Sequence, residues 1–210
     1  MNQQTYRAVQ AVGAGKLQLV ELPVVPPGPG QVRIAVEACG ICHTDSITIE
    51  AGFPGVVYPR VPGHEVVGRI HALGAGVTGW ALGQRVGVGF LAGRCGHCRA
   101  CRHGDSVNCE NQLISGVHLD GGYAELMLAS QHALVAIPDE LEAPDAAPLL
   151  CAGVTTFRAL RNSPARAGDL VAIQGLGGLG HLALQFARRM GFRTVAIARG
   201  QQKAHVAKAF

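Results

Sequence analysis

Between residues 5 and 137 apolar and polar positions alternate in short stretches, the period of strands that bury one face. Residues 5–22 alternate loosely and read as strands separated by the Gly13-Ala14-Gly15 turn. Pro23 to Gly30 reads as a Pro- and Gly-rich linker without regular structure. Gln31 to Ala38 alternates strictly and places Val32, Ile34 and Val36 on one face. A strand spans Glu65 to Leu73, introduced by Pro59, Pro62 and Gly63, and strand-like pieces recur at 84–90, 122–129 and 132–137. Glycine-rich turns lie between them and helical patterns are few, which predicts an all-β, barrel-like domain.

Near Pro144 the period changes. Asp145 to Leu160 has helical spacing interrupted by Pro148, and Leu170 to Gln174 reads as a short buried strand. Gly175-Leu-Gly-Gly-Leu-Gly180 then opens a helix of about three turns through Met190, Gly191 stops it, and Thr194 to Ala198 forms a second apolar strand. This is β-α-β with parallel strands, the opening of a doubly wound domain. We expect two domains, 1–145 and 146–210, the second incomplete because only two strands of such a sheet precede Phe210.

Composition narrows the class. With 48% hydrophobic and 15% charged residues the chain is globular rather than disordered. The net charge of +4 comes from dispersed arginines without a run of like charge, so no nucleic-acid partner is expected. Met1 to Gln10 lacks an apolar signal core, and no apolar run reaches the roughly 18 residues of a membrane span. A soluble cytoplasmic protein is expected.

The chemistry is concentrated at three places. Cys95, Cys98, Cys101 and Cys109 stand as C-x2-C-x2-C-x7-C, a spacing that lets four thiolates close on one structural Zn²⁺. Gly175, Gly177 and Gly180 form G-x-G-x-x-G between a strand and a helix, with Gly178 and Leu179 inside the turn. That context points to a dinucleotide pyrophosphate on the helix N-terminus. Where an acid would hold the ribose 2′-hydroxyl of NAD stands Ala198, followed by Arg199 and Lys203, which leans toward NADP. The third place combines Cys42-His43-Thr44-Asp45, Gly63-His64-Glu65 and Cys151. Two Cys and one His leave an open fourth position on zinc, a catalytic pattern. Read alone each is weak: Cys151 also suits a core thiol, and Cys39 with Cys42 suits a redox pair outside its usual β-α-β setting.

Five ordered motifs carry a resemblance: Cys39-Gly-Ile-Cys-His-Thr-Asp45, Gly63-His-Glu-Val-Val-Gly68, the four-cysteine lobe, Leu150-Cys-Ala-Gly-Val-Thr-Thr156 and the Gly175–Gly180 turn. Together they resemble the zinc-dependent alcohol dehydrogenases of the medium-chain dehydrogenase/reductase family. The resemblance implies a GroES-like catalytic barrel followed by the first β-α-β of a Rossmann domain. It implies a second, catalytic zinc on Cys42, His64 and Cys151, with Glu65 as an alternate or neighbouring carboxylate and Asp45 fixing the tautomer of His64. Cys39 becomes only a neighbour. Phe53 and Phe90 fall where the family lines its substrate pocket, Thr44 where a hydroxyl meets the alcohol proton, and Thr155 against the nicotinamide. His43 is a neighbouring base on the cofactor side. The implied reaction interconverts an alcohol and its aldehyde or ketone with NAD(P), in a protein that is homo-oligomeric at full length.

Two departures stand out. Ile47 occupies the position where many relatives carry a proton-relaying His, and four strands of the family's Rossmann sheet are missing. The chain is therefore expected to be part of a longer polypeptide or a truncated product, with little turnover by itself. A zinc-stapled fragment without catalysis is the alternative reading.

Overall fold

The computed structural model describes residues 4–200 and 202–209. The chain divides between Leu150 and Cys151 into two compact units.

In the first unit, β1 (Thr5–Gly13) and β2 (Lys16–Pro23) form an antiparallel hairpin whose Gly15 takes a φ of +69°. Pro23 therefore closes β2 opposite Thr5 instead of opening the linker, a strand end where a missing N–H costs nothing. The main sheet comprises β3 (Gln31–Cys39), β4 (Val66–Leu73), β5 (Arg85–Val88), β8 (Leu126–Ser130) and β9 (Leu134–Ala136). Its strands run antiparallel in the order β8-β3-β4-β5-β9. Val32, Ile34, Val66, Ile70, Val86, Val88 and Met127 fill one core. Val67 turns to the opposite face and packs under α3 (Ala143–Ala146) with Ala143, Ala146 and Ala147, so β4 is covered on both sides.

The β3–β4 ladder is broken by a bulge, with Val36 opposite Gly68, Ala38 opposite Val67 and Glu37 left over. The extra residue is used. Glu37 Oε1 accepts from Arg69 Nε and Oε2 from Arg85 Nε, both at 2.9 Å. Between β3 and β4 lies α1 (His43–Ile49), and β6 (Leu91–Gly93), α2 (Arg99–Arg102) and β7 (Leu113–Ile114) build the cysteine lobe. None of these four elements is predicted by periodicity. Four of the seven α1 residues are β-branched, which disfavours a helix locally. What holds the helix is its start, where the Asp45 carboxylate accepts the Cys42 N–H at 2.8 Å.

In the second unit, α4 (Ala152–Arg161) packs on α5 (Gly178–Arg189), with Phe157 edge-on to Phe186 at 5.9 Å. Strands β10 (Leu170–Gln174) and β11 (Arg193–Ile197) are parallel, with α5 the crossover between them, and α6 (Gln202–Ala209) follows. The predicted architecture, an all-β unit followed by one β-α-β, is what the structure shows. Among the described residues no helix is long and apolar enough to cross a membrane.

Candidate active site

The pairing of Cys39 with Val66 brings two loops together, one leaving β3 and one entering β4. Gly40 N–H donates to the Glu65 carbonyl at 2.9 Å, and a Cβ at Gly40 would collide with the Glu65 carboxylate. Cys42 then caps α1, while Gly63, at a φ of +102°, turns the chain so that His64 and Glu65 point inward. Both are buried, and the donor atoms of Cys42, His64 and Glu65 lie within 4.8 Å of one another.

Asp45 organises this cluster. Its Oδ1 lies 2.9 Å from His64 Nδ1 and accepts the Gly63 N–H at 3.3 Å. Its Oδ2 accepts the Cys42 N–H at 2.8 Å and the Tyr123 hydroxyl at 2.9 Å. Burial pushes this carboxyl up, but His64 and the other donors outweigh it and hold the group below the usual carboxylate range. A carboxylate on Nδ1 keeps the imidazole proton there and the lone pair on Nε2, the state a metal-facing histidine needs. Burial likewise pushes the Cys42 thiol up, and the Thr44 N–H, the Thr44 hydroxyl and His64 together bring it below its ordinary value. Cys39 differs: burial drives it up to about 12, so it stays a protonated, packed thiol.

Phe90 meets the His64 ring edge-on at 5.5 Å, and Phe53 lies 6.2 Å from Phe90. The structure thus brings together Cys42, Thr44, Asp45, His64, Glu65, Phe53 and Phe90. His43 is exposed on α1, its Nδ1 at 3.5 Å from Ser46 Oγ, and Ile47 is half-buried. Tyr123 carries no signal in the sequence and is the residue that sequence reasoning missed. Burial and the Asp45 charge push its phenol up, so it remains a donor.

In the lobe, the four sulfurs of Cys95, Cys98, Cys101 and Cys109 also lie within 4.8 Å of one another, with Cys95 and Cys109 at 3.6 Å. Four sulfurs about 2.3 Å from a tetrahedral zinc stand about 3.8 Å apart, so the set fits that ion. Backbone N–H groups of Cys95, Cys98, Cys101 and Asn111 point at the sulfurs at 3.4–3.5 Å. Such donors, from His97 and Cys98 above all, bring Cys95 down to about 6, whereas burial and its neighbour Cys98 push Cys101 up to about 12. Four thiols this close cannot all ionise unless a cation joins them.

In the second unit, Cys151 stands at the N-terminus of α4, and its backbone carbonyl accepts the Thr155 N–H at 3.0 Å. Thr155 is exposed, while Thr156 is buried and donates to the Ala152 carbonyl at 2.8 Å. Gly175 takes a φ of +85° and donates to the Ile197 carbonyl at 2.8 Å, which ties the turn to the end of β11. A Cβ at Gly180 would collide with the Gly175 carbonyl oxygen, whereas Gly177 and Gly178 face open space. A cavity of about 380 Å³ lies there, lined by Gly177, Gly178, Leu179 and Gly180 and by Thr156, which the motif at 150–156 includes without assigning it a role. The first-turn N–H groups of α5, which no helix can satisfy internally, suit an anion. Arg199 and Lys203 are exposed just beyond β11, Lys203 on α6.

The family model for the alcohol dehydrogenase GroES-like domain matches residues 28–139, more than half of the chain. The chain belongs to the alcohol dehydrogenase GroES-like family. Alcohol dehydrogenase patD of Aspergillus clavatus is 48% identical over 192 residues, 91% of this chain and 49% of that protein. A cobalt- and zinc-bound alcohol dehydrogenase from Pyrobaculum aerophilum superposes with a TM-score of 0.90 at 32% identity, over 98% of this chain and 63% of that one. The CAD of Helicobacter pylori in complex with NADP(H) gives a TM-score of 0.90 at 28% identity, over 98% of this chain and 62% of that one. The resemblance to medium-chain alcohol dehydrogenases is borne out, and this family member spans about half to three-fifths of the length of its curated relatives.

Proposed function

We propose that this chain supplies the catalytic metal centre and phosphate-binding turn of a zinc-dependent, NAD(P)-dependent alcohol dehydrogenase acting on small alcohols and aldehydes. The observation that carries the reading is the Asp45-oriented His64 with Cys42 and Glu65 in ligand range. Cys42, His64 and Cys151 would hold the ion, with Glu65 as an alternate carboxylate. A structural zinc would sit on Cys95, Cys98, Cys101 and Cys109. A cobalt- and zinc-bound relative and an NADP(H)-bound relative support both groups.

Zinc at the His64 centre would supply a Lewis acid toward the alcohol or carbonyl oxygen, and the nicotinamide would supply the hydride acceptor or donor. The residues do the rest. Asp45 fixes the His64 tautomer. Thr44, whose hydroxyl already reaches the Cys42 thiol, holds the substrate proton. Phe53 and Phe90 wall the substrate and exclude water. The Gly175–Gly180 turn binds the pyrophosphate, Thr155 packs on the nicotinamide, and Arg199, with Lys203, pairs with a 2′-phosphate. The thiolate-rich lobe suits the reducing cytoplasm.

The test is alcohol oxidation by the metal-loaded full-length protein, with NADP⁺ and NAD⁺ compared as hydride acceptors. His64→Ala should lower kcat/KM by about 10²-fold or more, and Arg199→Ala should erase a preference for NADP. Retained activity in His64→Ala overturns the metal reading, and equal use of both cofactors by the unsubstituted protein overturns the 2′-phosphate reading.

A further inference from the structure

Residues 121–123 run beside residues 61–63. Gly121 N–H donates to the Val61 carbonyl at 2.7 Å, Gly122 to Gly63 at 3.1 Å and Tyr123 to Pro62 at 3.0 Å. From the other side, Val9 N–H donates to the Tyr123 carbonyl at 2.7 Å. The backbone that carries His64 is thus splinted by the segment that carries Tyr123. The Tyr123 ring lies against the α-carbon of Gly63, where a Cβ would stand 2.7 Å from its Cδ1. Its hydroxyl reaches Asp45 Oδ2, the oxygen also bonded by the Cys42 N–H, and so pins the carboxylate with Oδ1 on His64.

We propose that Tyr123 is a positioning residue for the metal centre: its hydroxyl locks the Asp45 carboxylate and, through it, the ring of His64. The inference rests on the metal reading above. Without the hydroxyl, Oδ2 keeps one of its two donors, the carboxylate gains freedom to rotate, and the imidazole loses its fixed direction. Partners of ligand residues change metal affinity by about 10- to 100-fold. Tyr123 acts one bond further out, so the low end of that range is expected.

The test uses the full chain loaded with zinc, unsubstituted and as Tyr123→Phe, which keeps the ring on Gly63. Zinc release to a coloured chelator resolves the two ions by rate, and cobalt substitution reports the ligand field in the visible spectrum. In Tyr123→Phe one ion should leave about 10-fold faster with a shifted cobalt band, while the other leaves unchanged and the thermal midpoint holds. Two unchanged release rates with an unchanged spectrum overturn the proposal. So does faster release of both ions with a lowered midpoint, which marks general loosening. An unsubstituted chain that holds only the lobe zinc sinks the metal reading itself, and this inference with it.

Discussion

Ile47 follows Thr44 by three positions on α1, one turn along the same face. A threonine hydroxyl is a poor final acceptor near neutral pH, and Ile47 has no polar atom to carry a proton onward. His43, adjacent in sequence and exposed, is an alternative base. On the proposed reading, replacing Ile47 with His in the full-length enzyme should raise kcat for alcohol oxidation by up to about 10²-fold, most below about pH 7, and change aldehyde reduction less. Superimposable pH profiles would mean that the proton already leaves by another route. In the lobe, Cys98 accepts the Cys101 N–H and is buried, so Cys98→Ser removes a proposed zinc ligand and a sulfur anchor together. Metal analysis should show the loss of one equivalent of zinc, and an unchanged stoichiometry would refute the four-thiolate site. Both the lobe and the glycine turn are legible in sequence because the four cysteines and the three glycines each stand at short, fixed spacing within one local stretch. Tyr123 is not, since its partner Asp45 lies 78 positions away and only the fold joins them.

At the scale of elements, strand patterns in the first unit were readable because each buries alternate residues in a shared core. α1 was not, because a capping carboxylate and tertiary packing override its β-branched composition. The Glu37 bulge shows a similar limit. Nothing in the alternation of β3 announces that one residue is left unpaired, yet Glu37 joins β3 to β4 and β5 through two arginines. Arg85 is buried and also donates to the Leu141 carbonyl at 2.7 Å, so it ties β5 to the segment before α3. Glu37→Ala would leave that guanidinium with carbonyl partners only. Because Glu37 is itself about one-third exposed, solvent screening reduces the cost, and about 1–2 kcal/mol of stability should be lost. A urea-denaturation midpoint equal to that of the parent would show that the bulge pair contributes nothing.

Across the whole molecule, the two glycine behaviours of the second unit separate folding from function. Gly180 touches the Gly175 carbonyl so closely that no side chain fits, whereas Gly177 and Gly178 border open space. Every single-nucleotide missense change in a glycine codon introduces at least one carbon beyond Cα. A saturation library read twice, once for soluble yield and once for dinucleotide retention, should therefore split at these positions. Position 180 should be depleted of all substitutions in both readings. Positions 177 and 178 should tolerate small residues in the yield reading and lose them in the retention reading. Equal tolerance at 177 and 180 in the yield reading would contradict the geometry. Natural selection reads the same two ledgers, so codon 180 would be held invariant even in a descendant under no selection for binding a dinucleotide, while codons 177 and 178 would be released to drift.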